Sequence, residues 1–212
     1  MNYAKLAFTD AIKTVQEKEG SRNSYERMEQ MVLPEGLSFR EMSFIRERDS
    51  FYVASFGENG FPYIQHRGGP KGFLKFIDVK TLAFIDFTGN KQYITTGNIQ
   101  THEKVSLILV DYPNRARLKI YAEAEVVSLN ERPDLLEKLE LEDYKYKAER
   151  MFVFHIKAFD WNCPQHITPR YTIEDIAKMA KDREDYVENL EQEIKSLKER
   201  LENCGANGNN QN

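Results

Sequence analysis

The run Gln65-His66-Arg67-Gly68-Gly69-Pro70-Lys71-Gly72-Phe73 joins two cations and an imidazole to three glycines at the end of an expected β-strand. Guanidinium and ammonium groups give charge-assisted hydrogen bonds to phosphate oxygens, and glycines let a backbone approach a ligand closely. A tight turn with solvated charges fits the same local sequence. Three further clusters combine cations, amides and aromatic groups: Asp86 to Tyr93, which contains Asn90, Lys91 and Gln92; Arg115 to Lys119; and Trp161 to His166. Together they offer cations for a phosphate, amides for a heterocycle and an indole for a ring face. The Gly89-Asn90-Lys91 turn precedes an expected helix at 92–99, whose first N–H groups could face an anion, although a plain helix start is an equal reading.

The elements that must position these groups are legible from spacing. Residues 4–19 place Leu6, Ala7, Ala11, Ile12 and Val15 near helical spacing, and Gly20-Ser21 ends that segment. Ser38 followed by Glu41 has the form of a capping box and opens a short helix through about Arg48. Phe51 to Phe56 and Phe61 to Arg67 read as a hairpin around Glu58-Asn59-Gly60, with Asn-Gly supplying positive φ angles. Phe73 to Asp78 and Thr81 to Phe87 read as a second hairpin, and Val105 to Val110 as another strand. From Arg117 to Val126, Leu118, Ile120, Ala122, Ala124 and Val126 alternate with polar residues, so Arg117 and Lys119 share a face opposite the apolar set. From spacing alone, a solvated outer face is the simpler account of that pair. Met151 to Phe159 gives the last strand. Six or seven antiparallel strands with few intervening helices predict a mainly β fold with flanking helices, closed as a barrel.

Beyond residue 171 the pattern changes. Ile173, Ile176, Ala180, Arg183, Val187, Leu190, Ile194, Leu197 and Leu201 recur at alternating intervals of three and four, a heptad seam. Packing back on the barrel is the alternative to a partner helix. The expected organisation is a helical lead-in over 1–37, a barrel domain over 38–171, a coiled-coil-like helix over 172–204 and a disordered tail over 205–212.

The chain has 212 residues, a net charge of -4 and a pI near 5.7, which argues against nucleic acid or an acidic membrane as the main partner. No apolar run has the length of a membrane span and the N-terminus lacks signal-peptide features, so the expectation is a cytoplasmic protein. Cys163 and Cys204 do not make a disulfide framework. Cys163 and His166 have metal-ligand spacing without a second pair to complete a site, so no metal is expected. His66 is a candidate proton donor because imidazole titrates near neutrality, with a satisfied barrel histidine as the alternative.

The ordered segments FYVASFGENGFPYIQHRGGPKGFLKFID, LAFIDFTGNKQYITTGNI, DYPNRARLKIYAEAEVV and FDWNCPQHI resemble the FMN-binding split-barrel proteins related to pyridoxamine 5'-phosphate oxidase. The likeness covers roughly residues 40–171 and is nearest the flavin-nucleotide-binding branch of uncertain substrate. It implies a split β-barrel and a homodimer with FMN at the subunit interface, each site drawing on both chains. Carried over, Gln65, His66 and Arg67 lie on the strand lining the flavin, with Gly68 and Gly69 allowing close approach. Asn90, Lys91 and Gln92 match the phosphate turn. Arg117 matches a polar flavin contact, Lys119 shares its face, Trp161 matches the tryptophan near the flavin, and Arg170 lies near a later arginine of the family.

The oxidase's arginine-any-histidine-aspartate-arginine substrate motif is missing, and Asn162 to Arg170 stands in its place. The resemblance therefore implies a flavin-dependent oxidoreductase of unknown small substrate, without implying pyridoxamine phosphate oxidation. A nicotinamide donor is compatible with that class, though no nicotinamide fingerprint is visible. Two alternatives remain: a haem-binding split barrel, and a non-catalytic flavin-binding or assembly module that recruits a partner through the heptad helix.

Overall fold

The computed structural model describes residues 1–208, with side chains described through Arg200. It divides into two compact units, residues 1–167 and the segment from Thr168 onward.

The first unit is built on a seven-stranded, wholly antiparallel sheet. Its strands are β1 (Ser50–Phe56), β2 (Pro62–Gly68), β3 (Lys75–Asp78), β4 (Thr81–Phe87), β5 (Lys104–Asp111), β6 (Ala116–Val127) and β7 (Ala148–Asn162), in the order β2-β1-β5-β6-β7-β4-β3. Both expected hairpins form, β1 with β2 and β3 with β4. The first turn departs from expectation. It spans Gly57 to Phe61, and of its Asn-Gly pair only Gly60 has a positive φ, 79°. The Gly60 N–H bonds to the Gly57 carbonyl at 3.0 Å, so the longer loop closes a reverse turn with its glycine in the left-handed region.

The sheet is not closed. Among the described residues no strand pairing joins β2 to β3 or β4, so the closure suggested by strand count does not form and the sheet is the split barrel that the resemblance implies. Helix α5 (Ile94–Thr101) packs against β1, β2 and β6; Thr95 Oγ1 donates to Gln65 Oε1 at 2.5 Å and Asn98 Nδ2 donates to Ser55 Oγ at 3.0 Å.

Alternation on β1, β5 and β6 directs Phe51, Val53, Leu107, Leu109, Leu118 and Ile120 into the core. Phe51, Phe73, Phe84, Phe152 and Phe154 form one aromatic cluster with ring centroids 5.3 to 6.4 Å apart. Each such buried ring contributes roughly 1.5–3 kcal/mol by leaving water. The second cluster, around Ile85, Leu135, Leu139 and Met151, seats helix α6 (Pro133–Leu139) against β4 and β7.

The lead-in is three helices: α1 (Tyr3–Ala7), α2 (Asp10–Lys18) and α3 (Arg22–Gln30). The single helix expected over 4–19 breaks at Phe8-Thr9. The capping box forms as expected, with Ser38 and Glu41 exchanging side-chain and backbone bonds at the start of α4 (Phe39–Arg46).

The second unit contains α7 (Ile173–Gly208). It starts with reciprocal bonds, Thr172 N–H to Asp175 at 2.9 Å and Asp175 N–H to Thr172 Oγ1 at 3.1 Å. The helix continues past the expected end at residue 204. Of the tail expected over 205–212, residues 209–212 lie outside the described residues. Among the described residues no helix is long and apolar enough to cross a membrane.

Candidate functional site

Gln65 and Arg67 alternate inward on β2, and the loop after β4 brings Gly89, Asn90, Lys91 and Gln92 to the same cleft. Its volume is about 240 Å³, and Asp86, Phe87, Tyr93, Thr96 and Glu149 complete the lining. Lys91 and Tyr93 both take left-handed backbone, φ 61° and 54°, which turns the chain sharply into α5. Two of the four sequence clusters therefore converge, from opposite ends of the sheet.

Arg67 organises the cleft floor. Its Nη1 donates to Asp86 Oδ1 at 2.6 Å, and its guanidinium lies 5.2 Å from the Phe152 ring centroid. Arg150 approaches the other oxygen of Asp86 at 3.4 Å, lies over the Tyr93 ring at 4.5 Å and donates to Glu149 at 2.6 Å. Burial pushes the Asp86 carboxyl above its ordinary value, against the pull of Arg67 and Arg150 and with Glu149 adding to the rise. Burial likewise lowers Arg67, against the attraction of Asp86. Arg67 Nε is buried with no hydrogen-bond partner among the described residues, leaving donor capacity on a charge already short of solvent. An anionic group in the cleft would offset that desolvation.

The opening motif splits into two jobs. His66 is exposed on the opposite face of β2 from Gln65 and Arg67, with its ring 5.4 Å from Tyr52. Gly69 owes its identity to packing, since a Cβ there would come within 2.7 Å of the Phe73 ring. Gly68 would place a Cβ 3.0 Å from His66 Cε1. The Gly69 and Gly72 N–H groups bond to the carbonyls of Asp49 and Arg48 at 2.9 and 3.2 Å, and Lys71 is exposed. This loop fastens Phe73 into the core, while Gln65 and Arg67 supply the groups that face the cleft.

The other two clusters meet elsewhere. Arg117 Nη2 donates to the Cys163 carbonyl at 2.6 Å, and Lys119 pairs with Asp160 at 3.1 Å while lying 4.7 Å from the Tyr3 ring centroid. Trp161 Nε1 donates to Glu41 Oε1 at 2.7 Å; Arg40 covers the indole at 4.5 Å and Phe44 meets its edge. On β7, Trp161 pairs with Leu118 and Arg150 pairs with Asp86, a separation on the order of 35 Å of strand contour. Within one chain, Arg117, Lys119 and Trp161 do not line the Arg67 cleft. Arg170 lies in the second unit.

Burial acts to raise the Glu41 carboxyl, but bonds from the Ser38 side chain, Trp161 and the Ser38 backbone outweigh it and hold the group below its ordinary value. Asp111 is also lowered: burial opposes, and Asn114 together with Arg48, 2.9 Å away, prevails.

Asp86 and Arg150 had no assigned role in the sequence. A lone carboxylate inside the buried run Leu82-Ala83-Phe84-Ile85 was the available signal, because a charge there requires a cation. A larger, mostly apolar cavity of about 750 Å³ lies between α1 and the outer faces of β1, β5 and β6. Leu6, Ala54, Phe56 and Tyr121 help line it, and it holds none of the predicted site residues, so size alone does not locate the chemistry. Among the described residues no His, Cys, Asp and Glu cluster could hold a metal.

Residues 41–161, more than half of the chain, match the family model described as pyridoxamine 5'-phosphate oxidase, and the chain belongs to that family. Similar solved structures include HupZ of Group A Streptococcus, with 15% identity over 64% of this chain and 100% of that one at a TM-score of 0.45. An FMN-binding protein of Syntrophomonas wolfei is 16% identical over 69% and 97%, with a TM-score of 0.44. A Clostridium acetobutylicum protein related to general stress protein 26 is 18% identical over 65% and 94%, with a TM-score of 0.45. No curated protein matches the chain.

Proposed function

We propose that this protein is a homodimeric FMN-binding flavoprotein whose Arg67–Lys91 cleft holds the cofactor phosphate, and that it acts as an oxidoreductase on a small substrate. The observation carrying this reading is the convergence of Arg67 on β2 and Lys91 in the loop after β4 on one cleft with Gln65, Asn90 and Gln92. Arg67 brings a buried unpartnered Nε, Lys91 a charge with no ion pair among the described residues, and the amides neutral hydrogen bonds.

The cleft's 240 Å³ is below the roughly 300–1,000 Å³ of complete small-molecule sites, so it suits the phosphate end of a flavin. The remaining candidates, Arg117, Lys119 and Trp161, sit at the far end of β6 and β7. A second copy is the means of bringing such a set to the ring system. The exposed outer side chains Tyr52, Phe56 and Ile64 give two copies an apolar face to cover. When bound, FMN supplies the hydride or electron chemistry. The chain fixes the phosphate and presents amides and positive charge to the ring. A nicotinamide donor fits this class of reaction.

The test is the visible spectrum and released-chromophore mass of protein purified without added cofactor. Flavin bands with the mass of FMN support the reading. A Soret band selects haem. Colourless protein that takes up no FMN on titration leaves a non-catalytic assembly module and overturns the flavin assignment.

A further inference from the structure

The barrel chemistry has no use for α7, yet its apolar seam is exposed among the described side chains: Ile173 at 82%, Ile176 at 57% and Ile194 at 51%. A solvated single helix normally confines apolar residues to a covered face, and a stripe sustained over successive heptads indicates an absent partner. We propose that this seam pairs with the same helix of a second copy, as a parallel two-stranded coiled coil.

The occupant follows from residue types and charge. Val187 and Ile194 stand at a positions and Leu190 and Leu197 at d, the combination that packs best in parallel pairs. Glu193 at g reaches Lys198 of the partner subunit at e, and symmetry makes the bridge twice. Arg183 at d meets its counterpart, while Glu184 at the adjoining e position offers each guanidinium an opposite charge across the seam. That layer lowers stability and fixes the register. An antiparallel pairing that set Val187 against Leu197 of the partner subunit would bring Glu191 to Glu191 and Glu193 to Glu193. Like charges disfavour it.

The pairing is independent of the flavin reading, and FMN content measured on each variant separates the two. In the full chain with Cys163 and Cys204 replaced by serine, Leu190→Cys is compared with Gln192→Cys on the outer face after mild oxidation. A parallel, in-register pair puts residue 190 beside its counterpart within disulfide reach. A disulfide-linked dimer for L190C and its loss for Q192C is the expected result. Failure of L190C to link, or equal linking by both, overturns the proposal. Because L190C also shortens a seam residue, a charge exchange gives a second reading: Glu193→Lys lowers the melting midpoint of the helix signal and E193K/K198E restores it. A double variant that melts as low as the single one overturns the proposal.

Discussion

Arg67 on β2 donates to Asp86 on β4 at 2.6 Å and so joins two strands from opposite ends of the sheet that share no backbone ladder among the described residues. The bond belongs to the barrel and to the cleft at once. Arg67 stands on the aromatic floor made by Phe152 and Phe84, and Asp86 is held between two guanidiniums. The residue proposed to meet the cofactor phosphate is therefore also a clasp across the split.

Removing Asp86 leaves the buried Arg67 without its counterpart, and removing Arg67 leaves Asp86 with one of its two cations. Asp86→Ala should destabilise the fold by about 3–5 kcal/mol, the range for breaking a buried pair. Arg67→Ala should act similarly by leaving Asp86 beside Arg150 alone. The double variant should lose less than the sum of the single losses, because the orphaned charge is gone. Urea denaturation of the four proteins measures this, and strict additivity would show that the pair is not a unit.

Lys91 separates binding from stability. It lines the cleft and has no ion pair among the described residues, so Lys91→Ala should leave the melting temperature nearly unchanged. FMN affinity should fall about 10- to 100-fold, as expected for losing one charge-assisted contact. Arg67→Ala should lose both affinity and stability. Titration followed by flavin fluorescence tests the contrast; equal affinity for K91A and the parent would remove Lys91 from the phosphate site.

Much of the barrel was legible because its strands alternate and its turns carry Gly, Asn and Pro. Leu118, Ile120 and Ala122 face the core as their period requires, and Ser38 with Glu41 marks the start of α4 at the expected residue. Helix α3 was hidden because Arg22–Gln30 offers only Tyr25 and Met28 as apolar markers. The start of β7 was hidden because Ala148-Glu149-Arg150 looks like a charged loop, although Arg150 pairs with Asp86 on the neighbouring strand. Local periodicity cannot show which distant charge meets another. The expectation that Gln65, His66 and Arg67 all line the flavin overlooks strand alternation, since a residue between Gln65 and Arg67 faces the other way. The flavin contacts carried over as one run are divided by that alternation.

Trp161 is the chain's one tryptophan, and Glu41 accepts its indole N–H at 2.7 Å, so its emission should report the state of that carboxylate. The folded-state value of Glu41 is held below the ordinary 4.5. The unfolded chain then binds more protons in that interval. The stabilisation is fully present above about 4.5 and is lost as pH falls through the lower folded value. Glu41→Gln should be less stable than the parent at pH 7, and the difference should close on acidification. Asp111 is lowered over the same side of the scale, so the parent-minus-E41Q difference isolates Glu41. A difference that stays constant from neutral pH to below the folded value would sink the assignment.

The alkaline side has its own reporter. Tyr3 stacks on Tyr121 with ring centroids 4.8 Å apart, and Tyr121 is pushed up to about 12, first by a hydrogen bond with Tyr3, then by burial and by the charge Tyr3 acquires on ionising, while Lys119 opposes. A raised value means that the folded state holds this phenolic proton more tightly than the unfolded chain. Its stabilisation is present below about 10 and is lost as pH rises through about 12. Tyr3→Phe removes the leading cause and should bring the Tyr121 titration back toward 10, read as a difference in phenolate absorbance between the two proteins. Because Tyr3 belongs to α1, the same variant should loosen that helix from β6 and increase protease cleavage within the first residues at neutral pH. If the difference titration stays near 12, burial rather than Tyr3 holds the proton.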